Sequence, residues 1–169
     1  KIAISALLLL IFSSILSIIK QTDYLAEAFW LDCKQFFEQI KGKKIAMCGI
    51  GISNTPLILS FLERGATVYA CDRRTREQIG KIADELESAG ARLKLGDGYL
   101  DNLEVDIIFR TPGMNFNLPE LESARKKGIA VTSEMEVFFD LCPATIFAVT
   151  GSDGKTTTTT LIAEMLKAE

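Results

Sequence analysis

Apolar and polar positions alternate along this chain in blocks rather than singly. Lys43–Ile50 (KKIAMCGI) is basic and then apolar, the pattern of a short strand buried on both faces. Gly49, Gly51 and Ser53-Asn54 follow as a turn. Thr55 and Pro56 then supply a helix N-cap and first helical residue. Leu57, Ile58, Phe61 and Leu62 form a helical face, and Gly65 closes it. Thr67–Cys71 is a second strand ending in Asp72. Thr75 and Gln78 have capping-box spacing. Ile79, Ile82, Ala83 and Leu86 line one face of the next helix, which Gly90 ends. Arg92–Leu95 is a weak third strand and Val105–Phe109 a stronger fourth. Asn117 is predicted to cap a helix through Lys127, stopped by Gly128. Ile129–Thr132 is a fifth strand. Ser133 and Glu136 cap a helix that ends at Cys142-Pro143, and Thr145–Thr150 (TIFAVT) is a sixth strand.

This rhythm predicts an α/β fold, an open parallel sheet covered by helices. Such sheets bind ligands beyond the carboxyl ends of their strands. The candidate site residues therefore follow the strands: Gly49 to Thr55, Asp72 to Arg74, Arg110 to Gly113, and Gly151 to Thr157.

The two ends read differently. Ile2–Ile19 holds eighteen uncharged, mostly apolar positions between Lys1 and Lys20, long enough for a membrane-spanning helix. Either it anchors a cytosolic domain, or it is upstream sequence outside the working protein. The second reading places the start at Leu31, with Asp32 as N-cap and Gln35 three residues on. Met47, the first methionine, lies inside the first strand. The expected organisation is an apolar segment over 1–30, a ligand-binding domain over 31–141, and the opening of a second domain over 142–169.

Composition narrows the function. The 169 residues suffice for one domain, or one plus part of another. A net charge of −3 argues against a partner recognised through a nucleic-acid backbone. The chain has no histidine, which removes a His base, a Ser-His-Asp triad and any His-ligated metal. Its four cysteines form no CxxC pair and read as buried reduced thiols of a cytosolic protein.

Three constellations can carry chemistry. In Gly49-Ile50-Gly51-Ile52-Ser53-Asn54 the glycines let a ligand approach the backbone, and the helix behind favours an anion. Asp72 stands where a dinucleotide-binding fold places its ribose acid, but Asn54 replaces the third glycine of GxGxxG. Arg73 and Arg74 suit a phosphate equally well, and a tight turn before a solvated charge cluster is the plainer alternative. Arg110-Thr111-Pro112-Gly113 offers a hydroxyl, a rigid turn and an approachable backbone on the same sheet edge. Gly151-Ser152-Asp153-Gly154-Lys155-Thr156-Thr157 is a glycine-rich anion nest with a lysine for phosphates and a hydroxyl for Mg²⁺. It is the shorter GxxGKT, since Val149 stands where the longer phosphate-loop pattern needs glycine. A surface turn before a threonine-rich strand is the alternative.

The order GIGISNTP, CDRR, RTPGM, SEMEVFF and AVTGSDGKTTTTTLIAEML resembles the Mur ligase family over about Cys33 to Glu169. These are ATP-dependent amino-acid ligases of peptidoglycan precursor synthesis, and the likeness is to the members that add D-glutamate. The family often has Asn where this chain has Asp153. The resemblance implies a Rossmann-like first domain that binds UDP-N-acetylmuramoyl-L-alanine rather than NAD. Ser53, Asn54 and Thr55 would lie near the diphosphate, Asp72, Arg73 and Arg74 near the uridine, and Thr111, Pro112 and Gly113 along the substrate. Gly151 to Thr157 would bind ATP, with Lys155 neutralising its phosphates and Thr156 ligating Mg²⁺. The implied reaction passes through an acyl phosphate attacked by the amine of D-glutamate, in the cytoplasm. In the family the remaining Mg²⁺ ligands and the amino-acid domain lie downstream, so this stretch alone is expected to be inactive.

Overall fold

The structure, a computed structural model, describes residues 23–51 and 54–168, with side chains from Leu31 onward. Helix α1 (Asp23–Ile40) leads into strand β1 (Lys44–Cys48) and helix α2 (Asn54–Glu63). Strand β2 (Thr67–Asp72) is followed by two short helices, α3 (Arg76–Ile79) and α4 (Lys81–Ser88). Strands β3 (Arg92–Leu95) and β4 (Ile107–Arg110) precede helix α5 (Pro119–Lys126), strand β5 (Ala130–Ser133) and helix α6 (Glu134–Leu141). Helix α7 (Lys155–Lys167) ends the described chain.

The five strands form one sheet in the order β3-β2-β1-β4-β5, with every pairing parallel. This is a Rossmann-like arrangement, with the order reversing at β1. Strand β1 is central because its side chains are apolar on both faces. Ile45 and Met47 enter one core with Ile58, Phe61, Val68, Leu86 and Phe109. Ala46 and Cys48 enter the other with Cys71, Ile108 and Leu121. Phe61 carries the first core, its ring 5.3 Å from that of Phe109 and 6.3 Å from Phe36 and Phe37 of α1. Burying such a ring stabilises by about 1.5–3 kcal/mol. Cys33, Cys48 and Cys71 are buried free thiols. Burial pushes Cys33 up to about 11 and Cys71 to about 12, so both stay protonated and unreactive.

Several expectations are corrected. Thr145–Thr150 makes no strand; it runs without a ladder partner, with Phe147 80% exposed. An apolar run becomes a strand only where a neighbour takes its hydrogen bonds. Asp32 caps nothing, because α1 runs continuously through it. The single helix expected from Thr75 to Gly90 breaks at Gly80, whose φ of +68° is outside the helical range. Asn117 does not cap α5; Leu118 does, while the Asn117 amide donates to Asn115 Oδ1 at 3.0 Å. The helix after β1 begins at Asn54, ahead of Thr55 and Pro56. The threonine run after Lys155 is helical, against a strand there. Among the described residues no helix is long and apolar enough to cross a membrane, and Ile2–Ile19 lies outside them.

Candidate functional site

Three loops meet at the carboxyl edge of β1, β2 and β4. The first leaves β1 through Gly49, whose amide donates to Cys71 O at 2.7 Å. Gly49 adopts φ +92°, and a Cβ there would lie 2.6 Å from Thr111 Cγ2. Only glycine lets the β1 and β4 loops come this close. Asn54 then folds inward, its Nδ2 donating to Cys48 O at 3.2 Å and Gly49 O at 2.8 Å. Thr55 Oγ1 donates to Gly51 O at 2.8 Å. Both polar side chains expected near a diphosphate therefore shape the loop, as does the Thr55 amide, which donates to Gly51 O at 2.9 Å. Ser53 lies outside the described residues.

Asp72 holds the second loop to the first. Its Oδ2 accepts from the buried Ile50 amide at 2.7 Å and from Arg74 Nη2 at 2.7 Å. Its Oδ1 accepts from Arg74 N at 2.9 Å and Arg74 Nε at 3.0 Å. Arg74 Nη2 also donates to Ile50 O. Burial pushes the Asp72 carboxyl up, but the Arg74 side chain and the two backbone amides outweigh it and hold it below the usual carboxylate range. With both oxygens spent on the protein, Asp72 is poorly placed to hold a ribose, which counts against a redox dinucleotide. Arg73 beside it is exposed.

The third loop begins at Arg110, whose Nη2 donates to Glu136 Oε1 of α6 at 3.0 Å. Thr111 is half-buried, and Pro112 and Gly113 are exposed to the crevice rim. The Met114 amide closes this turn on Thr111 O at 3.0 Å. Ser133 caps α6, accepting from the Glu136 amide at 3.3 Å. The spacing of residues gave no sign of the Arg110–Glu136 pair or the Asp72–Ile50 bond, since their partners lie 26 and 22 positions apart.

The Gly151–Thr157 loop stands apart from this crevice. Gly154, at φ +72° and ψ 0°, is the N-cap of α7. Lys155 curls back, its Nζ donating to Gly151 O and, at 2.9 Å, to Ser152 O. The Thr158 amide reaches Gly154 O at 2.9 Å. Ser152, Asp153, Thr156 and Thr157 are exposed. Among the described residues, the hydrogen bonds of Gly151–Ala168 all run within that segment. A lysine folded over the free amides of a helix start fits a phosphate donor set. No group of three or more His, Cys, Asp or Glu that could hold a metal occurs among the described residues.

Fold and loops define the class: a Rossmann-like domain with three loops at its carboxyl edge, followed by a glycine-lysine turn at a helix start. No protein-family model matches the chain. It is 53% identical over 135 residues to "UDP-N-acetylmuramoylalanine--D-glutamate ligase" of Acetivibrio thermocellus, covering 79% of this chain and 29% of that protein. The Clostridium botulinum ligase of the same name is 52% identical over 136 residues, covering 80% and 30%. The resemblance to the Mur ligase family is thereby borne out, and the chain matches the N-terminal part of its D-glutamate-adding members. It spans about three tenths of the length of these curated relatives. Among solved structures, a chorismate mutase/shikimate 5-dehydrogenase fusion protein from Clostridium acetobutylicum is similar with a TM-score of 0.46. That likeness has 16% identity and covers 83% of this chain and 61% of that one, too slight to bear on function.

Proposed function

We propose that this chain is the substrate-binding front of a cytoplasmic, ATP-dependent ligase that joins D-glutamate to UDP-N-acetylmuramoyl-L-alanine. The observation that carries the proposal is the 53% identity to a ligase of that name across nearly all of the described fold. Residues 31–141 form the substrate domain, and residues 142–169 open the ATP-binding domain. The diphosphate would lie at the start of α2, near Ser53, Asn54 and Thr55. The uridine would lie beside Asp72, Arg73 and Arg74, and the sugar peptide along Thr111, Pro112 and Gly113.

The chain's own residues bind and orient. The Asp72–Arg74 clamp fixes the Ile50 backbone, and the Gly49–Thr111 contact sets the crevice width. Lys155 and the amides of Gly151 to Thr157 would hold ATP, with Lys155 releasing its loop carbonyls for phosphate oxygens, and Thr156 would take Mg²⁺. When bound, ATP supplies the phosphoryl group that activates the substrate carboxylate. Positioning and charge neutralisation are the protein's share, for which a histidine-free chain is adequate.

The test is calorimetric titration of the chain with UDP-N-acetylmuramoyl-L-alanine and, separately, NADH. Saturable binding of the first and none of the second is expected. Binding of NADH alone would sink the proposal and restore the dinucleotide reading.

A further inference from the structure

Arg110 is mostly buried, its side chain 16% exposed, at the root of the turn that lines the crevice. It is held from two sides. Glu136 Oε1 accepts its Nη2 at 3.0 Å, and its guanidinium carbon lies 5.3 Å from the centre of the Phe116 ring. Arg125 of α5 covers the same ring at 3.8 Å, and its Nη1 donates to Phe116 O at 2.9 Å. The loop between Thr111 and Leu118 is thus gripped at its root by Arg110 and at its tip by Phe116 between two guanidinium groups. Each such cation–ring contact is attractive, and more so when desolvated.

As a source of stability the cluster is poor. Arg110 Nε, Arg125 Nη2 and Glu136 Oε2 are buried without hydrogen-bond partners among the described residues. Each such atom has given up its bonds to water without a replacement, which is destabilising. The Glu136 side chain is 43% exposed, and an ion pair open to solvent on one side contributes little to stability, whereas fixing one geometry is a role it can fill. What this one fixes is the direction of Thr111, Pro112 and Gly113. Thr111 in turn abuts the position where only glycine fits in the β1 loop.

We propose that Arg110, held by Glu136 and seated on Phe116, is a positioning residue that aims the Thr111–Gly113 turn at the ligand in the crevice. The ligand part of this inference rests on the reading of that turn as a contact for a UDP-sugar peptide. The positioning part does not.

The test uses the full chain with Arg110→Met, Glu136→Gln, the double variant, and Arg110→Lys as the conservative replacement. Two quantities are read: amide exchange at Met114, which closes the turn, and affinity for UDP-N-acetylmuramoyl-L-alanine. Each single variant is expected to speed exchange at Met114 and to weaken binding about tenfold, the size of one lost charge-assisted hydrogen bond. The double variant is expected to be no worse than the worse single, because the two residues act as one unit. Arg110→Lys restores part of both effects, and protection in β1 is unchanged throughout. Unchanged exchange at Met114 overturns the inference, as do single effects that multiply in the double variant. If Arg110→Met also lost protection in β1, Glu136→Gln would decide. If the wild-type chain binds no UDP-sugar peptide, the functional reading falls while the exchange at Met114 still decides whether Arg110 sets the turn.

Discussion

The loops at the sheet edge and the Gly151–Thr157 loop are both glycine-rich, yet they are built in opposite ways. The crevice is assembled from distant parts of the chain: Asp72 reaches Ile50, Thr111 abuts Gly49, and Arg110 reaches Glu136. Its shaping side chains are buried or half-buried, and most are consumed by the protein itself. The phosphate loop is local. Lys155 bonds its own loop, α7 caps on its own glycine, and Leu161, Met165 and Leu166 are exposed at 59%, 72% and 52%. In the crevice, the fold takes most of the polar atoms for itself. In the loop, a short stretch of backbone sets its own geometry without a core around it.

The largest expected effect tests that contrast with two acids. Asp72→Asn is expected to lose about 2–3 kcal/mol in urea unfolding at neutral pH, since charged hydrogen bonds to a buried amide and to Arg74 are weakened together. Asp153→Asn, on the exposed loop, is expected to stay within about 0.5 kcal/mol. The sign of the pH dependence follows from the lowered Asp72 pKa. Its contribution is complete above the usual carboxylate value and is lost as pH falls through the lower folded value. The gap between wild type and Asp72→Asn should therefore be widest near neutrality and close in acid. A gap that widens in acid would contradict the clamp.

Two glycines sharpen the comparison at the next level. Gly49→Ala meets both a positive φ and Thr111 Cγ2 at 2.6 Å, whereas Gly154→Ala meets a positive φ with nothing within 4 Å. The first is expected to cost about 2–3 kcal/mol and the second about 1 kcal/mol, the backbone strain alone. Thr111→Ser removes the clashing methyl, so the double variant Gly49→Ala/Thr111→Ser should recover the steric share and keep the strain. Thermal unfolding of the four variants reads this directly. Equal costs at both glycines would mean that the β1 and β4 loops do not press on each other.

A weaker effect separates fold from ligand within the loop. Lys155→Ala is expected to leave unfolding within about 0.5 kcal/mol, because the exposed lysine bonds only carbonyls of its own turn. The same change should abolish retention on immobilised ATP. A variant that both unfolds and fails to bind would place Lys155 with the crevice residues, as part of the fold.

What the sequence made legible follows the same division. The five strands were readable because a parallel sheet needs continuous apolar runs, as KIAMC and TVYAC are. The glycine turn and helix start at Gly154-Lys155 were readable because both are local. The sixth strand failed for the complementary reason: TIFAVT has the composition of a strand but no partner in this sheet. The break at Gly80 was present in the sequence and was overridden by a periodicity that ran through it. The capping pattern at Asp32 was matched and still wrong, since a helix already under way needs no cap there. The use of Asp72, Asn54 and Thr55 inside the protein was not legible. Residue type says that a group can bond, not whether the fold or a ligand takes the bond.

The smallest prediction concerns Glu134 in the first turn of α6. Its carboxyl shares a groove with Phe36, Phe61, Phe109 and Val137, and burial pushes it above the usual carboxylate range. A raised acid favours the folded state when protonated, and that advantage is lost as pH rises through the folded pKa. At neutral pH the charged form is therefore a liability. The start of a helix offsets part of it, because negative charge there is favoured by about 0.3–1 kcal/mol. Burial is expected to win, so Glu134→Gln should raise the melting temperature slightly at neutral pH, with the gain vanishing in acid. A loss at neutral pH would show that the helix start outweighs the groove. Glu134 would then be governed by its helix end rather than by the burial that governs the sheet.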